Sequence, residues 1–189
     1  HRYLRLLANQ RQHRAPELGC QSVTVERRRA GQLDDLWRFL DSLPRRFHYG
    51  VEVRHPAFFA KGDAERALNR GLLARGINRV MLDSRPVHAS TSQSPAALVA
   101  RAQKPRVPPH ALRTGSQPMV RFIGSDSVEE SVPLFQIWRD KLTEWQQQGD
   151  AMLFLHTPDM GQVFPLVQAL WPQVRCRSEG RRVGKEGRS

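Results

Sequence analysis

His48–Pro56 reads HYGVEVRHP, Asn78–Pro86 reads NRVMLDSRP, Pro118–Asp126 reads PMVRFIGSD and Ala151–Asp159 reads AMLFLHTPD. Each is a short apolar run that ends in polar, chemically capable residues, and a stretch with helical spacing follows each. Strand–helix alternation of this kind predicts a parallel sheet covered by helices. The expected class is therefore α/β, built of β/α units. About four repeats suit a partial barrel or a small open doubly wound sheet, since a complete barrel takes about 250 residues. Parallel α/β folds place their sites at the carboxyl ends of the strands, so the polar tails of the four runs are the place to look.

Working outward, Leu33, Leu36, Trp37, Leu40 and Leu43 fall at helical spacing and Pro44 ends that run. After the first strand the loop HPAFFAKG leads to a helix from about Asp63, read as its N-cap, to Arg75, and Gly76 takes the place of a left-handed cap. Phe58 and Phe59 in that loop read as a plug for the end of a barrel, or as a pair able to stack a base or sugar. The long connection after the second strand predicts a short helix near Pro95–Gln103 and a Pro-rich loop, KPRVPPHALRTGSQP. Ser127 and Glu130 have capping-box spacing. The helix they open carries Leu134, Phe135, Trp138, Leu142 and Trp145 on one face, which reads as core. A last helix carries Val163, Leu166, Val167 and Leu170.

The 189 residues suffice for one domain with a core. No apolar run is long enough to span a membrane, so no membrane partner is expected. Cys20 and Cys176 offer neither metal spacing nor a disulfide framework, which makes a reducing cytoplasm the default. The net charge of +12 is unevenly spread: residues 1–30 hold seven Arg and two Glu, and residues 177–189 hold five basic and two acidic residues. The middle is only mildly basic and gives a nucleic-acid partner weak support. The organised domain is read as residues 31–176. Residues 1–30 lack a clear helix or strand period and read as a basic segment or the product of a frameshift. RSEGRRVGKEGRS, Arg177–Ser189, resembles the translation of a sequencing-library adapter and is expected not to be native protein.

The strand ends offer Glu52, Arg54 and His55; Asp83, Arg85 and His88; Arg121, Ser125 and Asp126; and His156, Thr157 and Asp159. In a parallel sheet these would converge on one rim. Alternation puts Glu52 and Arg54 on one strand face and Val51 and Val53 on the other, with Arg121 as the analogous inward residue. Arg54, Arg85 and Arg121 present fork-shaped donors suited to phosphate or carboxylate. Glu52 or Asp83 is the candidate general base or metal ligand, and His156 the candidate acid or ligand. His55, His88, Ser125, Asp126 and Asp159 complete the candidate ligand-binding set. GSDS, Gly124–Ser127, leads into a helix N-terminus, a generic anion site or a simple capping turn. No H-x-x-x-H or similar spacing appears, and neither metal nor cofactor is named by the sequence. The competing reading is structural: Glu52 paired with Arg54 or Arg121, Asp83 capping its own loop, and His156 bonded to a backbone carbonyl.

GVEVRHPAFFAKG, NRVMLDSRPVHA, MVRFIGSD and LFLHTPD, with RFLDSLPRRFHYG before them, closely resemble the bacterial YecE-like proteins, a family named as a domain of unknown function. The resemblance runs from about Gln32 to Val174. It implies a TIM-barrel-like fold of which this chain would hold the later part, leaving open sheet edges. It implies no activity. The family's barrel looks similar to xylose-isomerase-like barrels, which include metal-dependent apurinic endonucleases, and this is an analogy of fold. Three functions follow as expectations: an enzyme acting at the rim on a small anionic or phosphorylated ligand, a nucleic-acid-binding or endonuclease-like protein, and a non-catalytic interaction protein whose rim is an ion-pair network.

Overall fold

In the computed structural model, which describes residues 4–7, 20–25 and 33–174, every strand neighbours the next one in sequence. The order is β1 (Leu4–Leu7), β2 (Cys20–Val25), β3 (His48–Val53), β4 (Asn78–Asp83), β5 (Met119–Ile123) and β6 (Met152–His156). β1 runs antiparallel to β2, and β2 to β6 are mutually parallel. The α/β class and the four strand–helix units are as the sequence predicts. The two strands before Gln32 are not: β2 pairs with β3 over its whole length, from Cys20 opposite His48 to Val25 opposite Val53. That ladder supplies a reason for extended backbone that local patterning does not signal. The adapter-like stretch 177–189 lies outside the described residues, as does most of 1–30.

Alternation along the strands sorts the side chains onto two faces. A Cβ on Gly50 would meet the Met119 sulfur at 2.4 Å and Val80 at 3.1 Å, so Gly50, Val80 and Met119 share a face. Glu52, Leu82, Arg121 and Ile123 follow on that face, and the β5–β6 register adds Met152, Phe154 and His156. The other face packs on helices. Val51 and Val53 join Leu36 and Leu40 of α1 (Leu33–Asp41) and Leu68 and Leu72 of α2 (Asp63–Arg75). Phe58 and Phe59 are buried in the same cluster. Met81, Val120 and Phe122 pack with Phe135, with Trp138 and Leu142 of α6 (Gln136–Gln146), and with Leu166 and Leu170 of α7 (Val163–Val174). The predicted aromatic helix face is thus core. It is split by a break at Phe135 between α5 (Val128–Leu134) and α6.

α2 shows why its ends fall where they do. Gly62, not Asp63, occupies the N-cap position, and Asp63 opens the first turn where a negative charge favours the helix dipole. Gly76 closes it at φ 62°, its N–H reaching the carbonyls of Leu72 and Leu73. Midway, Gly71 lets α2 approach α1: a Cβ there would lie 2.3 Å from the Trp37 ring. That ring also carries the Arg75 guanidinium 4.6 Å above it, and Arg75 in turn holds Asp41 at 2.8 Å. Gly71→Ala is therefore expected to displace Trp37 and lower stability by about 1–3 kcal/mol. A thermal melt, together with a shift in indole fluorescence, reads both effects.

Candidate functional site

On the face away from the helices, the β3 and β5 ends bring together one carboxylate and two guanidinium groups. Glu52 is 1 % exposed. Its Oε1 accepts from Arg54 Nε at 2.9 Å, and its Oε2 accepts from Arg121 Nη1 at 2.8 Å across the sheet. Arg121 is itself buried, and its Nε is enclosed without a hydrogen-bond partner. A buried cationic donor left unpaired is costly and marks a place where a ligand or water belongs.

His156 ends β6 on the same face, at the register position opposite Ile123. Although the residue is exposed, its ring loses water on the protein side. That desolvation, then the charges of Arg121 and Lys104, push its pKa down to about 4 against an opposing pull from Glu52. The imidazole is therefore neutral at pH 7, able to donate from one nitrogen and accept at the other. With its folded pKa below the unfolded value of 6.5, the unfolded chain takes the proton first. Stability is expected to be level above about pH 6.5 and to fall from there to about pH 4, with a slope kept shallow by solvent screening. His156→Gln should flatten that window, read as the difference between the two chains' denaturation midpoints at pH 4.5 and pH 7.

The expected convergence does not extend to Asp83 and Arg85. Asp83 alternates onto the helix face, fully buried, where Oδ2 accepts from Trp138 Nε1 at 2.7 Å. Arg85 donates to the same carboxylate through Nε and Nη2 and through its backbone N–H, and its Nη2 also reaches the Leu134 carbonyl. This is the loop-capping role that the structural reading gives Asp83. His55 caps the turn Pro56–Phe59, accepting from Ala57 N at 3.2 Å, and its ring lies edge-on to Phe58. Asp159 caps the next such turn, accepting from Gly161 N at 2.9 Å. Ser125 sits within the cap of α5, bonded to the Ser127 carbonyl, Glu130 and Ser131. Ser127 accepts from Glu130 N, so GSDS is a capping turn.

Asp126 meets the long β4–β5 connection. This segment carries α3 (Arg85–Ala89) and α4 (Pro95–Gln103). Its neck is closed by Ser84 Oγ donating to the Pro105 carbonyl at 2.6 Å. Ser92 and Ser94 donate to Asp126 Oδ2 at 2.6 and 2.7 Å, which holds the Asp126 carboxyl below its usual range. Arg101 Nη2 donates to the Ser92 carbonyl, while Arg101 Nε and Asp126 Oδ1 are buried without partners. His88, on α3, is half-buried with Nε2 also unpartnered. The segment returns to the start of β4, where Thr114 bridges the Ile77 carbonyl and the Arg79 N–H.

Sequence reading missed one cluster. Arg79 Nη1 donates to Glu65 Oε1 at 3.0 Å and to Asn69 Oδ1 at 2.7 Å, and Nη2 donates to the Phe58 carbonyl at 2.6 Å. Glu65 also contacts His110 Nδ1 at 2.7 Å and accepts from Lys61 N. Burial raises the Glu65 pKa, but these donors outweigh it and hold the carboxyl below its usual range. The available signal was an arginine inside an otherwise apolar strand, a position that requires buried partners. Among the described residues no three His, Cys, Asp or Glu side chains group to hold a metal ion. Among the same residues no helix is long and apolar enough to cross a membrane.

The chain matches the family described as "Protein of unknown function DUF72" over residues 8–186 and belongs to that family. It is 56 % identical over 144 residues to the UPF0759 protein YecE of Escherichia coli, which covers 76 % of this chain and 53 % of that protein. The chain thus spans about half the length of the curated relatives it matches. Its fold is similar to the crystal structure of a DUF72 family protein from Enterococcus faecalis, with a TM-score of 0.53 at 11 % identity over 80 % of this chain and 59 % of the other.

Proposed function

We propose that the chain forms part of a TIM-barrel-like protein whose Glu52–Arg54–Arg121–His156 cluster binds a small anion of the phosphate or carboxylate class, as the acidic group of a substrate. The buried, unpartnered Nε of Arg121 carries this reading. An anion accepting from Nε would complete the guanidinium's hydrogen bonding in a charge-assisted geometry. The local charge favours it: Arg54, Arg121 and the nearby Lys104 outnumber Glu52, and His156 is neutral at pH 7. Each Glu52 oxygen already accepts a guanidinium N–H, so Glu52 acts as the anchor that aims both arginines. His156, with a free choice of tautomer, is the group suited to exchange a proton with bound substrate.

A nucleic-acid partner has less support. Most of the excess charge lies in residues 1–30 and 177–189. The test is titration of the 189-residue chain with inorganic phosphate, followed by calorimetry. Arg121→Met is expected to weaken binding roughly tenfold or more, with Arg66→Ala, an exposed residue of α2, as a control that leaves it unchanged. Phosphate bound as tightly by the Arg121→Met chain, or no binding by the parent, overturns the reading.

A further inference from the structure

Where Asp126 meets the β4–β5 connection, a carboxylate and a guanidinium lie close together without meeting. Ser92 joins them: its Oγ donates to Asp126 Oδ2 at 2.6 Å, and its carbonyl accepts from Arg101 Nη2. Ser94 Oγ donates to the same Asp126 oxygen at 2.7 Å. Arg101 is near enough for its charge to help hold the Asp126 carboxyl below its usual range. Each group still keeps one enclosed atom without a partner, Oδ1 on Asp126 and Nε on Arg101. The first only accepts and the second only donates. An anion would meet the Asp126 charge and a cation the Arg101 charge, so neither suits the pair. A neutral hydroxyl suits it, because its O–H donates to the carboxylate while the same oxygen accepts from the guanidinium N–H. His88 Nε2 on α3 is a third enclosed atom without a partner. α3 packs against α4, which carries Arg101, and against α5, which follows Asp126.

We propose that the ligand whose acidic group binds at Arg121 carries hydroxyl groups on its uncharged part, as a polyol phosphate does, and that Asp126 and Arg101 hold one of those hydroxyls between them. Arg121 lies on β5, and Asp126 follows soon after Ile123, where that strand ends. The connection that supplies Arg101 also supplies Lys104, whose charge acts on His156 together with that of Arg121. The two loci therefore adjoin at one end of the sheet, and a single molecule reaches both. Arg121 recognises charge, while the Asp126–Arg101 pair tells a hydroxyl from a hydrogen. A ligand without that hydroxyl leaves two enclosed charged atoms unsatisfied, which is the strongest form of discrimination a polar site offers. The inference rests on the anion reading above and adds the chemistry of the rest of the ligand.

The test compares phosphate esters of equal length by calorimetry on the 189-residue chain: glycerol phosphate against propyl phosphate, and ribitol phosphate against pentyl phosphate. In at least one pair the hydroxylated ester is expected to bind about tenfold more tightly or better than its alkyl counterpart. Asp126→Asn keeps an oxygen for Ser92 and Ser94 but sets an N–H donor where Oδ1 stands, and should bring the two affinities within about threefold of each other. Arg101→Lys, which keeps the charge and loses Nε, should do the same. The comparison of esters on the parent chain decides the matter even where a variant melts early. Alkyl esters bound as tightly as hydroxylated ones at both lengths overturn the proposal and leave the pair to a water only. A preference that survives both substitutions also overturns it, because the hydroxyl is then read elsewhere. Arg121→Met separates this inference from the reading it rests on, since it should weaken both esters of a pair alike. Inorganic phosphate bound with no hydroxyl preference removes the inference alone. A preference that depends on Asp126 while both esters are indifferent to Arg121→Met removes the anion site alone, and no binding of any ester overturns both.

Discussion

Asp83→Ala is expected to destabilise the chain by about 3–5 kcal/mol, the range for breaking one partner out of a buried ion pair. The carboxylate is fully buried and gathers donors from three directions: the Trp138 indole, the Arg85 side chain and the Arg85 backbone. Alanine leaves the indole N–H without an acceptor inside the core and strips a half-buried guanidinium of its counter-ion. It also frees the turn that leads from β4 into α3. Against a total stability of about 5–15 kcal/mol the loss is about a fifth of the whole or more. Asp83→Asn, which keeps an acceptor for Trp138 but not the charge, should fall between. Urea denaturation of the three chains orders them. A loss under about 1 kcal/mol for alanine would show that the carboxylate is not structural and would return it to the candidate base.

Arg79→Met is expected to have a comparable effect, about 3–5 kcal/mol. Arg79 is 2 % exposed, its guanidinium serves Glu65, Asn69 and the Phe58 carbonyl, and it lies 5.1 Å from the Phe59 ring centroid. Removing it leaves Glu65 buried with only the Lys61 N–H and His110 to answer it. Buried pairs replaced together by apolar groups often recover stability, so Arg79→Met with Glu65→Leu should lose less than the two single changes summed. A double-mutant cycle measures that coupling, expected above about 1 kcal/mol. Additive losses would show that the pair acts as two independent groups.

The strand–helix order was legible because four apolar runs, each closed by Pro or Asp, leave little else for the intervening helical spacing to do. The partnership of Glu52 with Arg54 was legible for the same reason: residues two apart on a strand share a face. Alternation also offered Arg121 as the analogous inward residue, an alternative partner to Arg54; that Glu52 holds both at once, one on each oxygen, needed the sheet. Asp83 misled because its position at a strand end suggested the rim, while the count of residues along β4 turns it toward Trp138 and the helices. β1 and β2 escaped notice because short strands owe their existence to the neighbours they pair with. Arg79 escaped because its acceptors come from two other segments, α2 and the Phe58 turn, with no local spacing to announce them.

The bond between Ser84 Oγ and the Pro105 carbonyl joins positions 21 apart in the chain. With both ends of the excursion held at one point, the stretch between them behaves as a cassette. Its length and composition can change while β4 and β5 keep their register, since the added loop-closure cost grows only slowly with length. The stretch also supplies Ser92, Ser94 and Lys104 to the neighbourhood of Asp126 and His156. If the proposed anion site is right, exchanging this one insert is expected to change which ligand it takes, with the sheet beneath it left as it is.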